Sequence, residues 1–193
     1  MKRFLTASIA LVVLVVLSAQ SRGDNYKVDP VHSATVFRIQ HANLGYVWGR
    51  INDPGGTFTL DAGDPTKSTF SLELQVANVD THNDKRDAHL KSPDFFNAKQ
   101  YPTITFKSTA VKKSAQANAF EVTGDLTLHG VTKSITVPVE LLGKGEFPPR
   151  TPRAAVETVF TIKMSEFDVK GIPGMPGAVG DELRLIFAAE GGK

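Results

Sequence analysis

Residues 70–76, Phe70-Ser71-Leu72-Glu73-Leu74-Gln75-Val76, put apolar side chains on the even positions and polar ones between them. A period of two is what a β-strand with one buried face requires, because successive side chains leave opposite sides of the backbone. Six further stretches repeat the pattern. Val36 opposes a face of Phe37, Ile39 and His41; Ile104 and Phe106 follow; Phe120, Val122, Leu126 and Leu128 alternate with Glu121, Thr123, Asp125 and Thr127. Ile135, Val137, Val139 and Leu141 come next, then Val156, Thr158, Phe160 and Ile162, and last Leu183, Leu185 and Phe187. Each strand carries one apolar face that must be covered. A sheet closed on itself hides that face and removes its own edges, whereas the chain has few helical segments to cover an open sheet. The pattern predicts an all-β barrel.

Residues 1–21 stand apart from this pattern. Lys2 and Arg3 are followed by an apolar run, Phe4–Leu17, and by the small and polar Ser18-Ala19-Gln20-Ser21. That order reads as a secretory signal peptide, cleaved after Ala19 or Ser21, leaving one domain over residues 22–193. The apolar run falls short of the roughly 20 residues a membrane helix needs, so no integral span is expected in the mature chain. The segment holds two of the 22 Lys+Arg and none of the 20 Asp+Glu, leaving 20 against 20. The basic balance therefore belongs to the targeting segment, and the near-neutral domain is not expected to bind nucleic acid. The chain has no Cys. An exported domain without disulfides must hold by packing and strand pairing, which suits a periplasmic or secreted setting.

Along the domain, Tyr26–His41 reads as a strand broken at Pro30, which cannot donate to a ladder. Asp53-Pro54-Gly55-Gly56 reads as a turn joining Gly49–Asn52 to Thr57–Leu60. Thr81–Asn97 holds helix formers behind an Asn83 or Asp84 cap, and its Leu90, Phe95 and Phe96 suit a plug or flank at one barrel end. His129-Gly130 reads as a two-residue hairpin turn. Residues 171–180 place Gly at every third position but are far too short for a triple helix, so they form a loop. Its Ile172, Met175 and Val179 suit a cover over a cavity mouth.

Chemistry finds little purchase. His32 and His41 fall at opposite parity in the first strand and point to opposite faces. His82 and His89 would stand two turns apart on one helix, too far for a shared tetrahedral site. His129 reads as a turn residue. The chain has no Cys nucleophile and no Gly-x-Ser-x-Gly elbow, and its glycines lack the strand, Lys and helix of a phosphate loop. No metal, cofactor or catalytic residue is expected. Arg86, Asp87 and His89 form the one dense polar cluster beside apolar residues, suited either to an anionic headgroup or to an ion pair that anchors the helix to the rim.

Five blocks carry a resemblance: YKVDPVHSATVFRIQH (26–41), RDAHL (86–90), FFNAKQYPTITFKST (95–109), VTGDLTLHGVTKSITVPV (122–139) and VGDELRLIFAAE (179–190). In this order, over nearly the whole mature chain, they resemble the YceI-like family of bacterial exported proteins. The resemblance implies a lipocalin-like antiparallel β-barrel of about eight strands, with one or two short helices at a barrel end. It implies a lipid partner with a long apolar tail: a polyisoprenoid, an isoprenoid quinone or a fatty-acid-like amphiphile. The stretch Lys163–Asp168 departs from the family by carrying Asp168 where a Gly is usual, and Asp visits positive φ less readily. The Pro- and Gly-rich insertion after Lys170 is also atypical, and a changed lid bears on ligand choice more than on fold.

Physical scale agrees with that implication. About eight strands make a barrel filled by side chains or holding one slim ligand, and strands of about ten residues sheathe roughly 33 Å of tail. Parity gives the inward candidates for ligand contact as Phe37, Ile39, Phe70, Leu72, Leu74, Phe106, Val122, Leu126, Val137, Phe160, Leu185 and Phe187. His41, Arg86 and His89 are the candidates for a polar mouth. The leading expectation is a non-enzymatic lipid carrier or scavenger, and a homodimer of such barrels is compatible with it. Two rivals stand beside it: an outer-membrane barrel with its apolar face outward, and a lipid isomerase or hydrolase using Asp87 and His89.

Overall fold

Wherever the period of two holds, the computed structural model forms strands; it describes residues 23–61, 63–147 and 150–193, so residues 1–21, expected to be a signal peptide, lie outside the described residues. Among the described residues the strands are β1 (Asp24–Val28), β2 (Ala34–His41), β3 (Gly45–Ile51), β4 (Gly55–Leu60), β5 (Thr69–Gln75), β6 (Val79–Asp80), β7 (Thr103–Lys113), β8 (Ala119–Leu128), β9 (Val131–Phe147), β10 (Thr151–Lys163) and β11 (Val179–Gly192), with one α-helix, α1 (Asp84–Leu90).

The first six strands are three courses, each broken once. A 3-10 turn at Pro30–His32 separates β1 from β2, a kink at Asp53 (φ 54°) separates β3 from β4, and a 3-10 turn at Val76–Asn78 separates β5 from β6. Counted as courses, eight antiparallel strands close a ring, because β11 pairs with β10 on one side and with both β2 and β1 on the other. Residues 53–56 do not reverse the chain as expected. β3 pairs with β2 while β4 pairs with β1, so the two pieces run on in one direction. Pro30 interrupts the first course as its missing N–H requires, and Asp29 caps the break by accepting from the Val31 N–H at 3.0 Å. His32 therefore sits in this turn, 2.9 Å from Asp29, and not in a strand opposite His41.

Two local readings hold. Asn83 caps α1 by accepting from the Arg86 N–H at 2.9 Å. His129 and Gly130 take φ of 51° and 76°, the mirror-image turn that matches strand twist, and close the Leu128–Val131 pair.

Parity sorts the two faces. Val122, Leu74 and Leu128 are 0–2 % exposed, whereas Glu121 and Asp125 on the alternate positions face outward. The apolar face is inside, the reverse of what a membrane-spanning barrel needs. A bulge between Ser108 and Ala110 shifts the parity of β7, so that Val111 turns inward and the Ser108 hydroxyl accepts from the Phe70 N–H at 2.9 Å. At the end away from α1, Tyr26, Phe58, Phe70 and Phe120 form a row of ring contacts with centroids 5.1, 6.4 and 6.2 Å apart, which closes the barrel with an aromatic floor.

The wall is not laddered evenly. Pairing between β9 and β10 runs from the Phe147–Thr151 rung to the Glu140–Glu157 rung. Toward the α1 end, among the described residues, Val131–Val139 ladders only with β8 and Thr158–Lys163 only with β11. A seam thus opens along half of one wall.

Candidate functional site

The end opposite the aromatic floor is a mouth. The β2–β3 hairpin, α1 and the 171–178 loop surround it, and the Ala42 N–H donates to the Ala178 carbonyl at 3.0 Å to join hairpin and loop. An outer cavity of about 260 Å³ lies between His41, Val47, Arg86, His89, Ile172 and Val179. A second, of about 150 Å³, sits behind it against Leu90, Phe95, Phe96, Met164, Val169 and Leu183, and both touch Phe37 and Ile39.

Two narrower voids continue the path inward. One of about 40 Å³ shares Phe37, Phe96 and Leu183 with the cavity above it and adds Leu74, Leu126 and Leu185. The next, of about 60 Å³, shares Leu72, Leu126, Phe160 and Phe187 with that void and reaches Phe70, Phe106 and Val137 above the aromatic floor. The interior is therefore a string of apolar spaces constricted at the Phe37 and Phe96 rings.

Eleven of the twelve parity-chosen residues line this path: Ile39 at the mouth, Phe37 at the constriction, and Phe70, Leu72, Leu74, Phe106, Leu126, Val137, Phe160, Leu185 and Phe187 below it. Val122, fully enclosed, contributes to the surrounding packing. Leu90, Phe95, Phe96 and Leu183 line the path too but were not among those chosen. The first three lie at the end of α1 and in the turns after it, where strand parity has no meaning, and their signal was the reading of Thr81–Asn97 as a plug or flank at one barrel end.

The polar rim is wired locally. Arg86 donates from Nε to Thr81 Oγ1 at 2.7 Å and from Nη2 to the Thr81 carbonyl at 2.6 Å. The Thr81 hydroxyl donates in turn to Asp87 Oδ1 at 2.5 Å, and the Thr81 N–H reaches the same oxygen at 2.9 Å. Arg86 is thus oriented by hydrogen bonds to Thr81, and the expected ion pair to the rim is replaced by this network. His89 pairs instead with Asp94, Nε2 to Oδ2 at 2.9 Å, and sets its ring edge-on to Phe95 at 5.0 Å. Asp87 and His89 are thus engaged by different partners, Thr81 and Asp94. His82 precedes the helix with φ 64°, so it does not share a helix with His89 as expected. Asp168 adopts φ 58° and accepts the left-handed position usually given to Gly, so the departure leaves the turn intact.

Residues 26–191 match the sequence profile of the YceI-like domain. The chain belongs to the YceI-like family. It is 38 % identical over 169 residues to the YceI protein of Escherichia coli, covering 86 % of each chain. A UPF0312 protein of Pseudomonas aeruginosa is 36 % identical over 187 residues, covering 96 % of this chain and 95 % of that one. Among solved structures, BcnA of Burkholderia cenocepacia superposes with a TM-score of 0.76 at 25 % identity, over 84 % of this chain and 98 % of its own. A polyisoprenoid binding domain from Saccharophagus degradans shares the fold with a TM-score of 0.66 at 16 % identity, over 86 % and 97 %. The closed eight-course wall is thus that of a YceI-like barrel.

Proposed function

We propose that this YceI-like protein binds one amphiphile, a polyisoprenoid, an isoprenoid quinone or a fatty-acid-like lipid, with its tail in the barrel and its headgroup at the Arg86 rim, and does no chemistry on it. The observation that carries this reading is the string of apolar cavities, each sharing residues with the next, that leads from a polar mouth to an aromatic floor. Each buried methylene contributes roughly 0.8 kcal/mol, so about ten of them give roughly 8 kcal/mol, the scale of micromolar affinity. The inner voids of about 40 and 60 Å³ are too small in volume to hold a long tail. Admission therefore requires the Phe37 and Phe96 rings to turn, which selects slim, flexible chains over rigid ring systems. The shared fold with a polyisoprenoid binding domain supports the same ligand class.

The protein is further proposed to be exported through residues 1–21, to the periplasm or beyond. Native mass spectrometry and lipid extraction of protein purified from its own host test the binding reading, and fractionation of those cells tests the second. Recovery of a stoichiometric long-chain lipid supports it. An empty barrel that takes up no polyprenyl phosphate, quinone or fatty acid overturns it.

A further inference from the structure

Among the described residues, two hydroxyls inside the apolar barrel have no protein partner. Thr35 is 2 % exposed, and its Oγ1 is buried without a hydrogen bond; Thr158 Oγ1 is in the same condition. They are not scattered. Thr35 on β2 stands directly across from Phe187 on β11, and Phe187 stands directly across from Thr158 on β10. The three residues form one inward row over three adjacent strands, with the hydroxyls separated by two strand spacings, about 10 Å, and the Phe187 ring between them. Thr35 lines the inner void of about 40 Å³, Thr158 the one of about 60 Å³, and Phe187 both. From His41 at the mouth to Thr35 the strand runs about 20 Å. Thr158 also lies just beyond the Glu140–Glu157 rung, at the head of the seam.

A buried hydroxyl without a partner is destabilising, and Val has the same shape without that cost. A barrel that needed only to enclose hydrocarbon would be better served by Val at both positions. We infer that the Thr35–Phe187–Thr158 row recognises an oxygen atom carried within the ligand's tail, a carbonyl, hydroxyl or ester function at mid-barrel depth. The inference rests on the proposed lipid binding and narrows its ligand class from any long tail to a tail oxygenated part-way along. Each hydroxyl can donate to a tail oxygen that stops beside it, so the row reads the position of that oxygen along the tail rather than its surroundings.

The test compares octadecanoic acid with a set of keto-octadecanoic acids that differ in carbonyl position, each displacing a fluorescent fatty acid from the full mature chain. The wild type binds one mid-chain keto isomer about three- to tenfold tighter than the parent acid, the scale of one net hydrogen bond. Thr35→Val combined with Thr158→Val abolishes that preference, leaves octadecanoic acid bound as before, and raises Tm without ligand. Thr35→Ser, which keeps a hydroxyl, retains the preference. Equal binding of all isomers by the wild type overturns the inference and assigns the hydroxyls to internal water. A preference that survives the double substitution overturns it as well. Failure of every acid to bind, with a polyprenyl phosphate or quinone still taken up, overturns the inference alone; failure of these as well overturns the lipid-binding reading itself.

Discussion

His129 Nδ1 lies 3.1 Å from the carbonyl oxygen of Phe167, linking the β8–β9 turn to the 3-10 turn that follows β10. The bond spans the open seam at the mouth, where β9 and β10 no longer share a ladder. Tyr101 stacks edge-on against the same imidazole at 4.9 Å and holds it in place. His129→Asn keeps a residue tolerant of the left-handed turn but is too short to reach Phe167. We expect a loss of about 1 kcal/mol in denaturant unfolding. Amide hydrogen exchange over Val131–Val139 should quicken more than elsewhere.

The constriction depends on a missing side chain. Gly49 pairs across from Phe37, and a Cβ built there meets the Phe37 ring at 2.4 Å and Thr81 Cγ2 at 2.8 Å. Gly49→Ala forces the ring into the space between the mouth and the interior. Stability should fall by about 1–3 kcal/mol from overpacking. Uptake of long-chain probes should fall more than uptake of short ones, as titrations of fatty acids graded by chain length would show.

Arg86 brings a positive charge to the outer cavity of the mouth. Arg86→Gln keeps a donor for Thr81 but removes that charge. Affinity for anionic amphiphiles should drop roughly threefold to tenfold at low salt and hardly at all at high salt. A neutral long-chain alcohol should bind the variant and the wild type alike in calorimetry.

Acid sensitivity should reside at the floor end. The Lys144 ammonium, 2.5 Å from Asp24, holds that carboxyl down to about 2, with Lys193 adding to it. Arg153, 2.8 Å from Asp29 and 2.8 Å from Glu190, together with His32 holds Asp29 well below the usual carboxylate range. A carboxyl with a depressed folded-state pKa contributes stability that is present above its unfolded pKa near 4 and lost as pH falls through the folded value. The wild-type Tm should therefore decline between about pH 4 and pH 2. The double variant Asp24→Asn, Asp29→Asn should melt a few degrees lower at pH 7 and show a flatter profile, the two curves converging near pH 2 in a thermal series.

Much of this architecture was legible because alternation is a local property. Leu72 against Glu73, or Leu126 against Asp125, reveals its face without knowledge of any partner strand. Register and breaks are not local. The kink at Asp53 became a false turn because the two pieces pair with different neighbours, which only the closed ring decides. Val111 was missed because the bulge at Ser108–Ala110 shifts parity mid-strand. Thr158 stood in an apolar row in plain view, yet a search for greasy side chains passes over a hydroxyl whose meaning lies in what it lacks. The mouth was partly legible through Arg86 and His89, but their actual partners, Thr81 and Asp94, follow from the path of an irregular segment.

A fully laddered cylinder has a fixed girth, because widening it anywhere breaks hydrogen bonds everywhere along a strand pair. The unladdered stretch between Val131–Val139 and Thr158–Lys163 exempts this molecule from that rule. Its circumference can swell along one line, like a sleeve with a slit at the cuff, while the floor end stays cinched. On the proposed lipid-binding reading, this line is where the wall would give sideways to a thicker tail, with no strand having to bend.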